Sequence, residues 1–179
     1  MQQPLDLLWD ILLPAMSADS LPDDPDSSTN LANKLNSLSM LPVAGEANSP
    51  IASQVSGRTY AVDANELMIQ TITFNFTETS CDITFKTAQN EETIVCGYGT
   101  WQRSQSTLFH QPLLFDHARI ATSGAWTNPD TFTIIFRLYE TPFYYTMLCH
   151  FADDEMLIEI QVNVSLESMK PIVMTAQLA

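Results

Sequence analysis

The sequence is poor in basic residues and in glycine, and each shortage excludes a class of protein. Seven lysines and arginines stand against 21 acids in 179 residues, which gives a net charge of −14. Nucleic acids and anionic membranes are bound through clustered cations, so we expect neither as a partner. Five glycines and a mean hydropathy near zero exclude collagen-like and fully disordered chains. The acidity itself is typical of a solvated surface, with an acidic docking face as the less favoured interpretation.

Long apolar runs are also missing. No stretch approaches the ~20 apolar residues that a membrane-spanning helix needs. The apolar residues near the N-terminus are interrupted by Asp6 and Asp10 and follow no basic residue, which is atypical of a signal peptide. The sequence therefore predicts a cytoplasmic protein.

Cysteine is scarce, with Cys81, Cys96 and Cys149 as the three examples. An odd number without metal-type spacing indicates neither a disulfide framework nor a zinc site. We interpret all three as small strand residues in a reducing compartment. Cys81 and Cys96 would face each other if their segments form a hairpin.

Residues 1–57 read as a helical segment followed by an extended connector. Leu5, Leu8, Trp9 and Leu12 recur at helical spacing between Pro4 and Met16, and the segment is apolar on more than one side. It is therefore expected to pack on another domain. A second short helix is predicted around Leu31, Leu35 and Leu38, after the candidate caps Asp26 and Ser27.

From residue 58 to residue 179 the hydrophobic period changes to two. Apolar residues alternate with polar ones in four clear runs: Ile72, Phe74, Phe76; Cys81, Ile83, Phe85; Phe132, Ile134, Phe136, Leu138; Ile158, Ile160, Val162, Val164. Such runs, separated by frequent turn signals, are typical of antiparallel strands around one core. The pattern predicts a mainly β fold, an up-and-down meander of about eight to ten strands that closes into a lipocalin-like barrel, with a sandwich as the second choice.

Residues for catalysis or metal binding are hard to find. No lysine follows a serine by three positions, and Tyr-x-Asn, Lys-Thr-Gly and Gly-x-Ser-x-Gly are absent, so no acyl-enzyme nucleophile is indicated. His150 follows Cys149 directly, and neighbours on a strand point to opposite faces. His110, Asp116 and His117 could form a polar cluster, although surface histidines are the favoured interpretation. We expect no catalytic residue, metal or cofactor in this chain.

The aromatic residues offer the one candidate binding surface. They are concentrated in one half of the predicted barrel, where packing is favoured over a ligand pocket but does not exclude one. The candidates for ligand or interface contact are Trp9, Trp101, Trp126, Tyr139, Phe143, Tyr144 and Tyr145.

The order of several segments resembles the C-terminal region of serine β-lactamase-like hydrolases, the class C and penicillin-binding-protein-related group. These segments are "LWDILLPAM", "LPDDP", "SGRTY" with "NELMIQTITF", "IVCGYGTWQ", and "SGAW" with "FRLYETPF". In such proteins the region follows the catalytic domain, and related D-aminopeptidases carry eight-stranded, lipocalin-like C-terminal barrels. The resemblance implies a non-catalytic accessory domain that packs on an upstream catalytic domain through Leu5, Leu8, Trp9 and Leu12 and shapes substrate access.

The sequence is also compatible with two other functions. One is a lipocalin-like module that binds a small apolar ligand inside the barrel, which a barrel filled by large side chains would disfavour. The other is an enzyme that uses His110, Asp116 or His117. In isolation, the chain would be expected to dimerise through its apolar N-terminal helix.

Overall fold

The computed structural model describes residues 2–16, 19, 22–109, 117–165 and 169–179. The chain divides into two compact units, Met1–Met40 and Leu41–Ala179. The second unit contains all the described strands, and it also includes residues 41–57 of the predicted connector. In the described part of the chain, no helix is both long enough and apolar enough to cross a membrane.

The first unit is helical where the sequence predicts helices. It contains α1 (Gln2–Leu7), a π-helical turn (Leu8–Leu12), α2 (Leu13–Ala15) and α3 (Pro25–Ser37). Helix α3 begins earlier than the cap candidates Asp26 and Ser27 predict, because Asp24 is the N-cap. Its carboxylate accepts a hydrogen bond from the Ser27 amide at 2.9 Å, which lowers the pKa of Asp24. Pro25 suits the first helical position, where no backbone N–H is required.

The second unit consists of one short helix and ten strands. The helix is α4 (Ala52–Val55). The strands are β1 (Thr59–Val62), β2 (Ile69–Phe76), β3 (Ser80–Thr87), β4 (Glu91–Gly97), β5 (Gln102–Ser106), β6 (Ala118–Asn128), β7 (Thr131–Leu138), β8 (Tyr144–Ala152), β9 (Glu155–Val162) and β10 (Ile172–Leu178).

The strands form a barrel. Consecutive strands pair antiparallel within β1–β4 and within β5–β10, and β10 returns to pair with β1. A parallel bridge between Gly97 of β4 and Ser123 of β6 closes a ring of nine strands, and β5 pairs with β6 beside this closure. The prediction of a mainly β, up-and-down, lipocalin-like barrel preceded by short helices is confirmed.

The alternation in the sequence explains which side chains fill the barrel. In β7, Phe132, Ile134 and Phe136 are fully buried, while the residues between them are only half-buried. Cys81 of β3 lies opposite Cys96 of β4 in the same register, and both are fully buried. Strands β3, β4 and β7 thus each turn a row of apolar side chains inward, as a period of two requires.

The wall is not equally closed everywhere, and we call the place where β4 meets β5 and β6 the seam. Side chains hold it together where a backbone ladder would otherwise run. The Thr122 hydroxyl lies 2.6 Å from the Val95 carbonyl, and the Ser123 hydroxyl donates to the Gly97 carbonyl at 3.1 Å. Further along, the Glu92 carboxylate accepts hydrogen bonds from the backbone and side chain of Thr107, both at 2.9 Å.

Residues 41–57 extend the closure beyond the seam. Glu46 and Trp126 exchange two backbone hydrogen bonds of 2.9 Å in an isolated bridge. Gly45 permits this close approach, because a Cβ there would lie 2.5 Å from the Trp126 carbonyl oxygen. Ala52 and Val55 of α4 then join the buried core.

Candidate functional site

The barrel interior holds two groups of aromatic side chains. The larger group surrounds Phe132, whose ring centroid lies 5.0 Å from that of Phe76 and 5.3 Å from that of Trp126. Its members are Tyr60, Phe74, Phe76, Tyr98, Trp126, Phe132 and Phe151. Edge-to-face and tilted contacts join most of these rings, and Phe74 stacks on Phe76. This end of the barrel is densely filled.

The second group differs because a loop supplies its central ring. Phe109 follows β5 outside any strand, yet only 4% of it is exposed. Its ring stacks on Tyr145, with 4.6 Å between centroids, and lies 4.8 Å from Phe136. Phe136 in turn contacts Phe85 on the opposite wall at 6.3 Å. Strand residues therefore surround this end on three sides, and the ring between them, Phe109, belongs to a turn.

The interior carries no charge in the described part of the barrel. All five buried polar residues are serines or threonines: Ser49, Ser106, Thr122, Ser123 and Thr131. Burial raises the pKa of Tyr60, Tyr98 and Tyr145, so their phenols are neutral at pH 7. The inward row of β4 ends in the half-buried Glu92 carboxylate. A ligand anion would find no counter-charge in this part of the interior and would meet a carboxylate at its edge.

Four buried polar atoms facing the barrel core or the seam have no hydrogen-bond partner. They are Tyr60 Oη, Tyr98 Oη, Ser104 Oγ and Trp126 Nε1. Tyr60 and Trp126 both flank Phe151, at 5.9 Å and 5.8 Å between ring centroids. A buried donor without an acceptor costs about 1–3 kcal/mol, so these groups offer hydrogen bonds to a polar atom that enters the barrel.

The three cysteines are reduced and fully buried. Burial raises the pKa of Cys81, Cys96 and Cys149, and for Cys96 it outweighs a hydrogen bond to Thr122 that acts in the opposite direction. The thiolate is the nucleophilic form of cysteine. At neutral pH these thiols are therefore packing groups and unsuited to catalysis.

The histidine predictions have different outcomes. His110 and Asp116 lie outside the described residues, and His117 is exposed. His150 points away from the buried Cys149, as expected for strand neighbours, and its Nδ1 lies 3.0 Å from the Thr131 hydroxyl. That hydroxyl also donates to Asp130 at 2.8 Å. Among the described residues, no three His, Cys, Asp or Glu side chains come together to hold a metal ion.

The predicted aromatic candidates separate into distinct places. Trp126 is in the larger interior group, and Tyr145 contacts Phe109 in the smaller one. Trp101 and Tyr144 flank the guanidinium of Arg137, and Tyr139 lies under Arg103. Phe143 is half-buried in the turn before β8, and Trp9 is 64% exposed in the first unit. They do not form one site.

The predicted domain-packing residues are exposed or half-buried. Leu5 and Leu12 are 47% and 57% exposed, and Leu8 is half-buried. Sequence reasoning also missed Phe109, because a single phenylalanine outside an alternating run gives no periodic signal. The aromatic residues of β2, by contrast, lay in such a run.

Two cavities among the described residues lie away from the barrel interior. One, of about 230 Å³, is lined by Glu46, Asn48, Ser49 and the turn between β6 and β7. The other, of about 340 Å³, is an open hollow on the first helical segment. Trp126 of the larger aromatic group borders the first cavity, whereas the second is lined by residues of the first helical segment.

No protein-family model matches the chain, and no curated protein matches it. Solved structures do match. The chain is similar to a Schistosoma mansoni fatty acid binding protein in complex with arachidonic acid, at 8% identity and a TM-score of 0.55, over 72% of this chain and 98% of the other. A Drosophila melanogaster brain fatty acid-binding protein matches at 13% identity and a TM-score of 0.51, over 69% and 98%. Echinococcus granulosus fatty-acid-binding protein 1 matches at 7% and 0.53, over 70% and 98%.

These matches correct the resemblance inferred from the sequence. The predicted membership of the β-lactamase-like hydrolases is wrong, and so are the accessory role and the upstream catalytic partner, because the barrel matches fatty-acid-binding chains over nearly their whole length. Short ordered segments such as "SGRTY" and "SGAW" are strand and turn residues here, and many β-meanders would tolerate them. At these identities the matches show the fold alone.

Proposed function

We propose that the chain is a binding protein rather than an enzyme, and that its barrel takes up a small apolar ligand in the place of Phe109. The observation that carries this proposal is the smaller aromatic group, where a loop residue fills a space bounded by Phe85, Phe136 and Tyr145. A ring held by a turn moves at lower cost than a ring held by a strand ladder. The similar structures are named as fatty-acid-binding proteins, which supports an apolar ligand.

The charge of the interior favours a ligand whose polar group is uncharged. Moving an ionised carboxylate into an apolar site without a counter-ion is strongly unfavourable. The described interior has no buried cation, and Glu92 would repel an anion. The unpaired Ser104 hydroxyl, on the strand that Phe109 follows, is a donor suited to a carbonyl, ester or hydroxyl oxygen. The cytoplasmic location expected from the sequence remains part of this proposal.

A matched pair of fluorescent ligands tests both parts. Parinaric acid and its methyl ester share one apolar chain and differ in charge at pH 7.4. We expect the ester to bind the full chain, and the acid to bind at least about tenfold more weakly because its carboxylate is not neutralised. Binding of neither ligand would contradict the proposed function, and equal binding of both would contradict only the preference for an uncharged group.

Variants locate the ligand. Phe109→Ala removes the competing ring and should tighten ester binding by about tenfold, because the ligand no longer displaces it. Leu157→Ala, at a 37% exposed side chain of β9, is the matched control and should leave the affinity unchanged. Unchanged binding by Phe109→Ala would place the ligand elsewhere, and weaker binding with a folded circular dichroism spectrum would show that the ring contacts the ligand instead of competing with it.

A further inference from the structure

The outer wall of the barrel carries a group of side chains that the interior site does not use. Across β5, β6 and β7, Arg103 lies opposite Ala121, and Ala121 lies opposite Arg137. On the far side, Arg137 lies opposite Tyr144 of β8. These outward residues, together with Trp101 and Tyr139, form what we call the arginine patch.

The two arginines cross over a small residue. Arg103 reaches from β5 to Tyr139, with its Cζ 5.5 Å from the ring centroid. Arg137 reaches in the opposite direction to Trp101 at 5.8 Å, and its Cζ also lies 4.7 Å from the centroid of the Tyr144 ring. Ala121, between them, has a side chain short enough to leave room for both. The aromatic faces hold the guanidiniums at fixed places by cation–π contact.

The charges around these arginines are unusual for so acidic a chain. The other two arginines have carboxylate partners: Arg58 pairs with Asp154 and Arg119 with Glu140, each at 3.2 Å. Arg103 and Arg137 contact aromatic rings and, among the described residues, pair with no carboxylate, although acids outnumber bases three to one. The Arg137 Nε–H is buried and has no acceptor. An outside anion would pair with both of these charges.

From this geometry we propose that the arginine patch docks a short acidic segment of a partner protein. Arginine, tryptophan and tyrosine are the side chains most enriched where protein interfaces gain their affinity. Two arginines separated by one strand are about 10 Å apart at their backbones, a distance that carboxylates on one extended peptide can span. A bilayer or a nucleic acid would bring many anions close to a chain of net charge −14, which opposes its approach.

The probe is a fluorescein-labelled peptide, Glu-Phe-Glu-Phe-Glu, with Gln-Phe-Gln-Phe-Gln as its uncharged match. Fluorescence anisotropy with the full chain at low salt should show binding of the Glu peptide, at least about tenfold tighter than the Gln peptide, and a loss of affinity as salt screens the charges. No binding of the Glu peptide, or equal binding of both peptides, would overturn the proposal. Binding to phosphatidylserine vesicles without binding to the peptide would assign the patch to a lipid surface and overturn it as well.

Two variants that lose the same number of charges test whether the peptide binds at the arginine patch. R103Q/R137Q should lose about tenfold in affinity, whereas R58Q/K86Q, which removes two charges elsewhere, should change it less than twofold. R103K/R137K keeps the charge but loses the planar bidentate group, and it should bind nearly as weakly as R103Q/R137Q. Equal losses in R103Q/R137Q and R58Q/K86Q would show that only net charge matters and overturn the proposal.

Mapping the peptide contact on the wild-type chain distinguishes a docking role of the patch from a purely structural one. If R103Q/R137Q fails to fold, amide shifts on adding the Glu peptide to wild-type protein still locate the contact. We expect the shifts at residues 101–104, 119–121 and 137–144. Shifts confined to other surfaces would contradict the proposal.

Discussion

The barrel wall is held together in two ways, by backbone ladders along most of its circumference and by side-chain hydrogen bonds at the seam. From β6 through β10 and β1 to β4 the strands pair in continuous antiparallel ladders. At the seam, β4 and β6 share one backbone bridge, and hydrogen bonds of Thr122, Ser123 and Glu92 supply the rest. A ladder contributes a bond at nearly every second residue, whereas the seam depends on a few side chains. The seam is therefore where we expect the wall to open first.

The two regions also differ in what lies behind them. The ladder strands supply six of the seven rings of the larger aromatic group, and Tyr98, which follows β4, is the exception. In the smaller group the central ring, Phe109, follows β5 at the seam. The weaker part of the wall thus lies beside a central ring that no strand holds, which connects the geometry of closure to the proposed binding site.

The largest effect is expected from breaking the strong part of the wall. Phe132→Ala removes a fully buried ring that contacts Phe76, Tyr98 and Trp126. The resulting cavity should lower the free energy of unfolding by about 3–5 kcal/mol, measured by urea denaturation. Val95→Ala on the outer face of β4 is the control, with an expected change below about 1 kcal/mol. Similar losses for both variants would show that the interior packing is not the main source of stability.

A rise in pH tests the neutral interior of both regions. Unfolded thiols have a pKa of about 8.5 and phenols about 10. Burial raises the pKa of all three cysteines and of Tyr60, Tyr98 and Tyr145, so above these values the folded chain binds more protons than the unfolded chain. Stability is then fully present below about pH 8.5 and is lost as pH rises, by about 1.4 kcal/mol per thiol per pH unit.

Urea midpoints at pH 7, 9 and 10 measure this loss. A variant with all three cysteines replaced by alanine should keep most of its stability between pH 8.5 and 10, where unfolded thiols ionise more than unfolded phenols. An identical pH dependence in this variant and in the wild type would contradict the assignment to the buried thiols.

Much of the strand architecture could be predicted from the sequence, and the reason is local. Alternation in runs such as Phe132, Ile134 and Phe136 needs only one buried face, and it located these strands and their inward rows correctly. In a run with a period of two, the alternation alone indicates which side chains face the core, whatever the rest of the chain contains. The barrel closure followed from the need to remove sheet edges.

The site could not be predicted in the same way, because it depends on contacts between distant segments. Phe109 contacts Phe136 and Tyr145, which lie about three strands further along the chain. No periodic spacing in the sequence links Phe109 to either residue. The seam depends on Thr122 and Ser123, which resemble many other polar strand residues. The assignment to the β-lactamase-like hydrolases failed for a related reason. The order of a few short segments does not determine which domain a barrel packs against.

A smaller effect is expected from weakening the seam. Thr122→Val removes the hydroxyl that bonds the Val95 carbonyl and also lies 3.2 Å from the Gln102 carbonyl. The free energy of unfolding should fall by about 1 kcal/mol, and amide hydrogen exchange should accelerate mainly in β4, β5 and β6. Thr84→Val, which breaks an exposed threonine pair within the ladder, should change neither noticeably. Faster exchange spread evenly over the barrel would contradict a local opening at the seam.

The smallest effect is a difference in rate between two equally buried thiols. Cys96 lies in β4 at the seam, where it interacts with Thr122, and Cys149 lies in β8 within the ladder. If the seam opens without unfolding of the barrel, alkylation by iodoacetamide should reach Cys96 before Cys149, as measured by mass spectrometry of quenched samples. Thr122→Val should widen this difference, because it acts on the opening next to Cys96 and leaves the ladder around Cys149 intact. Equal rates at both thiols, tracking global unfolding, would mean that the wall opens as one unit and that side-chain bonds close the seam as firmly as a ladder.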